Sequence, residues 1–207
     1  LDVIHMRQDP PFDMSYISAA HMLEFIKDKT LVVNDPFWVR NSPEKIIPLL
    51  FPELMPPTLV TRDRQAVLDF RAKHQDIVIK PLFGNAGAAV FRIKPEDGNL
   101  GALLDLFFAT SNEPLMIQAF VKEVFAGDKR IFLINGKCMG GINRIPTGND
   151  IRSNLAAGGS AAATELSEQD LAICEAIGPT LKERNLLFVG IDVIAGKLTE
   201  INVTSPT

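Results

Sequence analysis

Short apolar runs alternate with helical stretches along the whole chain. Residues 1–6 read as a strand followed by the turn formers Asp9-Pro10-Pro11, Met14–Lys29 as a helix, and Leu31–Val33 as a buried strand ended by Pro36. Asn41-Ser42-Pro43-Glu44 sets a capping residue before a proline and an acid, which predicts a helix running to Pro48 or Phe51. A strand at Thr58–Thr61, a helix at Arg64–His74 and the β-branched run Ile77-Val78-Ile79 leading into Lys80-Pro81 follow. A small-residue loop over 84–89 precedes a strand at Val90–Ile93, then a helix at Leu100–Ala109 and a strand at Leu115–Val121. Asn135-Gly136, between Arg130–Ile134 and Lys137–Asn143, predicts a hairpin, because both residues tolerate the positive φ its tight turn requires. Pro146 to Ala163 is rich in Gly, Asn, Ser and Ala, lacks periodicity and predicts a long mobile loop. Ser167-x-x-Asp170 opens a helix to about Arg184, and strands Leu187–Ile194 and Leu198–Val203 close the pattern. The fold class is α+β (α/β) in two lobes, with antiparallel hairpins toward the C-terminus.

The last hairpin is the most informative segment. Leu187, Val189, Ile191, Val193, Ile201 and Val203 make an apolar face, while the even positions carry Gly190, Asp192, Glu200, Asn202 and Thr204. Alternate side chains share a face, so Glu200 and Asn202 project together. A three-residue loop centred on Gly196 sets Asp192 directly opposite Glu200; a two-residue loop turns the two acids to opposite faces. Facing carboxylates destabilise a sheet, yet with an amide oxygen they make a hard-oxygen site suited to Mg²⁺. The solvated polar face of an edge hairpin has the same pattern.

With 207 residues the chain is long enough to bury a core as one large domain or two small lobes. A composition 46% hydrophobic and 22% charged excludes a disordered tail, a coiled-coil rod or a collagen-like chain. The net charge of −4 supplies no global field for nucleic acid or an anionic membrane, so an anionic ligand needs a local cluster of cations. One candidate is Lys80 before Gly84-Asn85-Ala86-Gly87, where small residues let backbone N–H groups approach a phosphate; a plain hairpin loop reads the same way. Another is the set Lys129, Arg130, Arg144 and Arg152 around the long loop, which also suits scattered solubilising charge. His5, His21 and His74 lack metal-ligand spacing. Cys138 and Cys174 form no C-x-x-C pair and read as reduced thiols of a cytosolic protein. Neither a signal peptide nor a membrane-spanning apolar run is evident, which predicts a soluble protein. Opening in a strand and stopping at Ser205-Pro206-Thr207, the chain reads as part of a longer protein.

Met6–Asp13, Lys80-Pro81-Leu82, Gly127-Asp128-Lys129-Arg130, Asn154–Gly159, Gly178–Lys182 and Thr199-Glu200-Ile201-Asn202-Val203-Thr204-Ser205-Pro206-Thr207 occur in that order. Together they resemble bacterial glutathione synthetase, of the ATP-grasp superfamily. The resemblance implies an ATP-grasp fold of two lobes. Residues 1–40 would be the remnant of a preceding nucleotide-fold-like domain, 41–121 the small lobe and 122–207 the large lobe. It also implies a cytoplasmic, tetrameric ligase. The enzyme would phosphorylate the cysteinyl carboxylate of γ-glutamylcysteine with ATP and let the amine of glycine displace the phosphate, giving glutathione.

By the same resemblance, Lys45 and Lys80 would hold ATP phosphates, and Gly84, Asn85, Ala86 and Gly87 would form the loop over them. Gln118, Ala119, Phe120 and Val121 would line the adenine, and Asp128 would bind the ribose. Arg130 would be the catalytic cation on the γ-phosphate and the acyl-phosphate oxygens. Arg144, Arg152 and Ser205 would grip substrate carboxylates. Asp192, Glu200 and Asn202 would hold two Mg²⁺, with Mn²⁺ as a substitute. The scheme has no protein nucleophile, nucleic acid or membrane. The alternatives are another ATP-grasp carboxylate–amine ligase, of D-alanine–D-alanine or glutamate-adding type, and a nucleotide-binding fragment without catalysis. The Thr199–Thr207 string weighs against the former, because generic ATP-grasp ligases share its Glu and Asn but not the whole string.

Overall fold

The structure, a computed structural model, describes residues 1–8, 11–84, 87–148, 151–153 and 158–206. Three sheets organise them. In the first, β1 (Val3–His5) and β2 (Leu31–Val33) pair in parallel. The connection carries α1 (Met14–Glu24), capped by Asp13, whose carboxylate accepts from the Ser15 and Tyr16 N–H groups. Tyr16 and Ala20 on α1 pack against Met6 and Val39.

The helix expected after Asn41 is displaced. The α-helix here is α2 (Pro36–Arg40), with Asp35 as its cap and Pro36 in its first turn. Between it and Thr58 the helical elements are the short 3₁₀ turns Ile47–Leu50 and Pro52–Leu54. Pro43, Pro48 and Pro52 remove donors too often for an α-helix to propagate. Ser42 caps nothing, and its buried hydroxyl has no partner among the described residues.

The second sheet runs in the order β3 (Thr58–Thr61), β6 (Leu115–Ala119), β4 (Ile77–Pro81), β5 (Phe91–Ile93), antiparallel throughout. Helices α3 (Arg64–His74) and α4 (Leu100–Thr110) bury Val67 and Leu104 against Ile77, Ile79 and Ile117 of this sheet. The third sheet runs β11 (Lys197–Asn202), β10 (Phe188–Ile194), β7 (Asp128–Ile134), β8 (Lys137–Ile145), β9 (Ser160–Ala163). Helix α5 (Glu168–Glu183) presses Ile173, Ile177 and Leu181 onto Ile131, Leu133, Val189 and Ile191. Its capping box forms as expected, between Ser167 and Asp170. Strand β9 falls inside the stretch expected to be loop; its residues Ser-Ala-Ala-Ala are all small, so an edge strand left no hydrophobic alternation to read.

Both hairpin turns of the third sheet have two residues. Asn135 and Gly136 adopt φ of 49° and 72°, as the sequence predicts. Gly136 has a second reason to be glycine: a Cβ there would run into the carbonyl of Gly178 on α5, so turn and helix meet backbone to backbone. Ala195 and Gly196, at 49° and 70°, make the other turn, flanked by the pair Ile194 and Lys197. This corrects the three-residue loop expected there. A β-bulge at Thr199 then shifts the register by one, so Val193 opposes Leu198 and Asp192 opposes Glu200. The expected pairing of the acids holds, but the bulge produces it. Cys138 and Cys174 are free thiols, and burial, then the neighbouring Cys138, pushes Cys174 up to about 12. Among the described residues no helix is long and apolar enough to cross a membrane.

Candidate active site

Side chains that the two larger sheets keep out of their cores line a single cavity of about 520 Å³, within the range of small-molecule sites. The period of two assigns them. On β7, Ile131 and Leu133 enter the core while Asp128, Arg130 and Phe132 face the cavity. In the same way β10 presents Asp192 and Ile194, β11 presents Glu200 and Asn202, and β8 presents Ile142 and Arg144, while the bulge adds Thr199 to the wall. The small sheet contributes Val78 and Lys80 from β4 and Gln118 and Ala119 from β6. Lys45, Gly84, Gly87, Phe120, Val121, Arg152 and Ser205 reach the cavity from the connecting segments. Every described residue to which the resemblance gives a site role therefore borders it; Asn85 and Ala86 lie outside the described residues.

Lys129 is the exception among the expected cations. It occupies an odd position of β7, pointing away from the cavity, and donates to Asp170 at 2.6 Å and to the Glu165 carbonyl at 3.2 Å. It serves the N-terminus of α5: burial would raise the Asp170 carboxyl, but Lys129 and Ser167 outweigh it and hold the carboxyl low.

Asp192 is the hub of the large-sheet wall. Arg130 Nε donates to its Oδ1 at 2.5 Å and Nη2 to its Oδ2 at 3.1 Å, while Arg144 Nη2 lies 2.9 Å from Oδ1. Burial alone would raise this carboxyl, but the two guanidiniums outweigh it and hold it at about 2. Arg130 Nη1 also donates to the Pro206 carbonyl at 3.0 Å and the Ser205 carbonyl at 3.4 Å, tying the tail to the same hub. Gly190 makes room for this, because a Cβ there would fall on the Pro206 carbonyl.

Arg144 Nη2 and Ser153 Oγ both donate to Asp128 Oδ2 at 2.6 Å. Asp128 is nonetheless pushed up to about 7, by burial first and the charge of Asp192 next, against Arg144 and Ser153. Its Oδ1 and the Arg144 Nε are buried without partners among the described residues.

Opposite, Lys45 Nζ donates to Glu44 Oε1 at 2.5 Å and to the Gly84 carbonyl at 2.6 Å, and lies 3.7 Å from Glu200. Burial works against the Lys45 charge, but Glu200 and Glu44 outweigh it and raise its pKa. For Lys80, 3.6 Å from Glu200, burial wins and the pKa falls. Glu44 is raised by burial and by Glu200, against Lys45. Lys45, Lys80, Arg130, Arg144 and Arg152 outnumber the four cavity carboxylates Glu44, Asp128, Asp192 and Glu200, so the walls favour an anion.

Glu44, Ser153 and Thr199 are cavity residues that the sequence reading missed. Glu44 stands beside Lys45 and was masked by the capping signal around Pro43. Ser153 follows Arg152 with no signal of its own. The other end of the cavity is apolar, walled by Pro56, Val78, Val90, Phe120, Val121 and Val124. There Gln118 is fixed by donating to Thr58 Oγ1 at 3.0 Å.

A divalent cation fits the hairpin donors. Glu200 stands at ion-pair rather than hydrogen-bond distance from both lysines, leaving its oxygens available. Asn202 is buried and borders the cavity, where its amide oxygen is the atom a cation would take. Asp192 has used most of its roughly four lone-pair sites on the arginines and keeps about one. No group of three or more His, Cys, Asp or Glu is gathered among the described residues. A cation here would therefore rest on two carboxylates and an amide oxygen, a set suited to Mg²⁺.

The fold that encloses this cavity is similar to those of solved ATP-grasp ligases. D-cycloserine synthetase DcsG matches with a TM-score of 0.74 at 16% identity, over 100% of this chain and 77% of that one. The ATP-grasp ligase PsnB complexed with minimal precursor matches at 0.70 and 19%, over 98% and 70%. The family model for the prokaryotic glutathione synthetase ATP-grasp domain matches residues 44–207, and that for the N-terminal domain of the same synthetase matches 1–40. Glutathione synthetase of Bradyrhizobium diazoefficiens is 57% identical over 206 residues, covering 100% of this chain and 66% of the relative. That of Brucella melitensis is 55% identical over 207 residues with the same coverage. The chain belongs to the prokaryotic glutathione synthetase family, and it spans 66% of the length of these curated relatives.

Proposed function

We propose that the whole protein is an ATP-dependent carboxylate–amine ligase that joins γ-glutamylcysteine to glycine, releasing ADP and phosphate through an acyl phosphate. The observation that carries this is the lining of the cavity. It gathers two lysines, three arginines, two facing carboxylates and an amide beside an apolar rim, in a chain 57% identical to a glutathione synthetase.

The chemistry asks for such a wall. A carboxylate is a poor electrophile, and phosphorylation gives it a leaving group; charge then moves over the transferring oxygens, so positioned cations supply most of the catalysis. In this reading Lys45 and Lys80 hold the phosphates under the 84–87 loop. Gln118, Ala119, Phe120 and Val121 receive the base, and Asp128 the ribose. Arg130 steadies the transferring phosphoryl group, while Arg144, Arg152 and Ser205 hold the carboxylates of the peptide. Asp192, Glu200 and Asn202 would seat Mg²⁺ or Mn²⁺, which when bound neutralises and orients phosphate oxygens. The three-sheet arrangement supports dividing the chain into 1–40, 41–121 and 122–207 as the end of a preceding domain, a small lobe and a large lobe. A cytoplasmic tetramer completes the reading.

The test is incorporation of isotope-labelled glycine into product by the whole protein with ATP and γ-glutamylcysteine, against D-alanine or glutamate as the amine. Labelled glutathione, with ADP formation requiring γ-glutamylcysteine, is the expected result. ADP release independent of γ-glutamylcysteine, or preference for another amine, overturns it.

A further inference from the structure

The apolar end of the cavity rests on a segment with no strand partner of its own. Phe120 and Val121 follow the last residue of β6, and the 3₁₀ turn Lys122–Ala126 leads on to β7, so this link joins the two larger sheets. The small sheet fixes it from one side. The Ala119 N–H donates to the Pro57 carbonyl, and the Phe120 N–H to the Asp76 carbonyl, each at 2.9 Å.

Asp76 then acts a second time, through its side chain. Arg92 Nε donates to its Oδ1 at 3.0 Å and Oδ2 at 3.2 Å, and Nη2 donates to Oδ2 at 2.6 Å. So held, the guanidinium carbon of Arg92 lies 3.8 Å from the ring centroid of Phe120 and 6.0 Å from that of Phe125. Those two rings meet edge to face at 6.2 Å. The guanidinium is permanently charged, and the hydrogen bonds to Asp76 outweigh partial burial to raise its pKa further. A guanidinium stacked on a ring attracts it and limits its tilt, and the fork on Asp76 prevents the guanidinium itself from turning.

We infer that Arg92 is a positioning residue for nucleotide binding: seated on Asp76, it fixes the Phe120 ring and thereby sets the surface offered to the base. This rests on the proposal that the apolar end receives a nucleotide. Neither Arg92 nor Asp76 borders the cavity, and both are half-buried. Partly exposed ion pairs add little to global stability. The effect of the pair therefore falls on nucleotide affinity rather than on folding.

The experiment is a fluorescence titration of the whole protein with mant-ATP, alongside KM values for ATP and γ-glutamylcysteine, for wild type, Arg92→Met, Arg92→Lys and Asp76→Asn. Arg92→Met is expected to weaken mant-ATP binding about 3- to 10-fold and to raise the KM for ATP equally. The KM for γ-glutamylcysteine, kcat at saturating ATP and the melting temperature should hold. Arg92→Lys keeps a cation without the fork and should fall between, and Asp76→Asn should follow Arg92→Met. Unchanged affinity in both Arg92→Met and Asp76→Asn overturns the inference alone. So do parallel losses in kcat, both KM values and melting temperature, which mark a general structural role. Failure of the wild-type protein to bind mant-ATP overturns the nucleotide reading, and the inference with it.

Discussion

Asp192 faces Glu200 because Thr199 is bulged out of the ladder between them. A two-residue turn alone would pair Asp192 with Thr199 and send Glu200 and Asn202 to the face that carries Ile201 and Leu198, in the apolar core under α5. One extra residue thus decides whether two acids and an amide share the cavity with two lysines. The bulge is also tied in place, since Thr199 Oγ1 donates to the Asp192 carbonyl at 3.1 Å.

Thr199→Val keeps the shape of that side chain and removes the bond. The loss should cost about 0.5–1.5 kcal/mol of stability, read as a lower urea midpoint at unchanged slope. A midpoint equal to wild type would mean that the hydroxyl does not hold the bulge.

Asn34 ties the first segment to the last. Its Nδ2 donates to the Phe188 carbonyl at 2.7 Å and the Val203 carbonyl at 2.9 Å, and its Oδ1 accepts from the Phe188 N–H at 2.8 Å. Asn34→Ala leaves three backbone groups, one buried and two part-buried, without this partner, at an expected cost of about 2–4 kcal/mol. Chemical denaturation measures it; a loss below about 1 kcal/mol would show that water replaces the amide.

Asp128 and Asp192, both buried in the cavity wall, bind protons in opposite senses. Asp128 sits at about 7 against an ordinary 3.8, so the folded protein keeps a proton that the unfolded chain gives up, and its contribution to stability falls as pH rises between those values. Asp192, held at about 2, contributes stability above 3.8 that is lost as pH falls toward 2. Asp128→Asn cannot ionise, yet its amide oxygen can still accept from Arg144. Its stability relative to wild type should improve from about pH 4 to about pH 7. Urea midpoints at stepped pH test this, and a difference independent of pH contradicts it.

Arg152 borders the cavity from the connection between β8 and β9. If it holds a carboxylate of the peptide, Arg152→Ala should raise the KM for γ-glutamylcysteine about 10- to 100-fold, the loss of one charge-assisted hydrogen bond. The KM for ATP should stay put. An unchanged peptide KM removes Arg152 from the substrate contacts.

What the sequence made legible follows from what side-chain alternation can express. The apolar odd positions of 187–203 and the turn Asn135-Gly136 are local signals, and the fold keeps both. Alternation also separates Lys129 from Arg130, although grouping cations by proximity along the chain concealed it. The bulge at Thr199 was not legible, because Lys-Leu-Thr-Glu-Ile-Asn holds no glycine to mark it. The helix after Asp35 and the edge strand of small residues were obscured by a stronger-looking cap at Asn41 and by an absence of large side chains. The clasp of Asn34 and the seat of Arg92 join residues far apart in sequence, and neither alters any local pattern.

The most direct measurement compares wild type with Glu200→Gln in their affinity for a non-hydrolysable ATP analogue, with Mg²⁺ and with EDTA. Glu200 lies 3.6 Å from Lys80 and 3.7 Å from Lys45, so without metal its charge opposes phosphate and the amide should bind the analogue as well or better. With Mg²⁺ the order should reverse, the wild type binding about tenfold more tightly or better, equivalent to about 1.4 kcal/mol. Glu200→Gln binding more tightly in both conditions, or gaining as much from Mg²⁺ as wild type, would contradict a metal-bound triphosphate on the final hairpin.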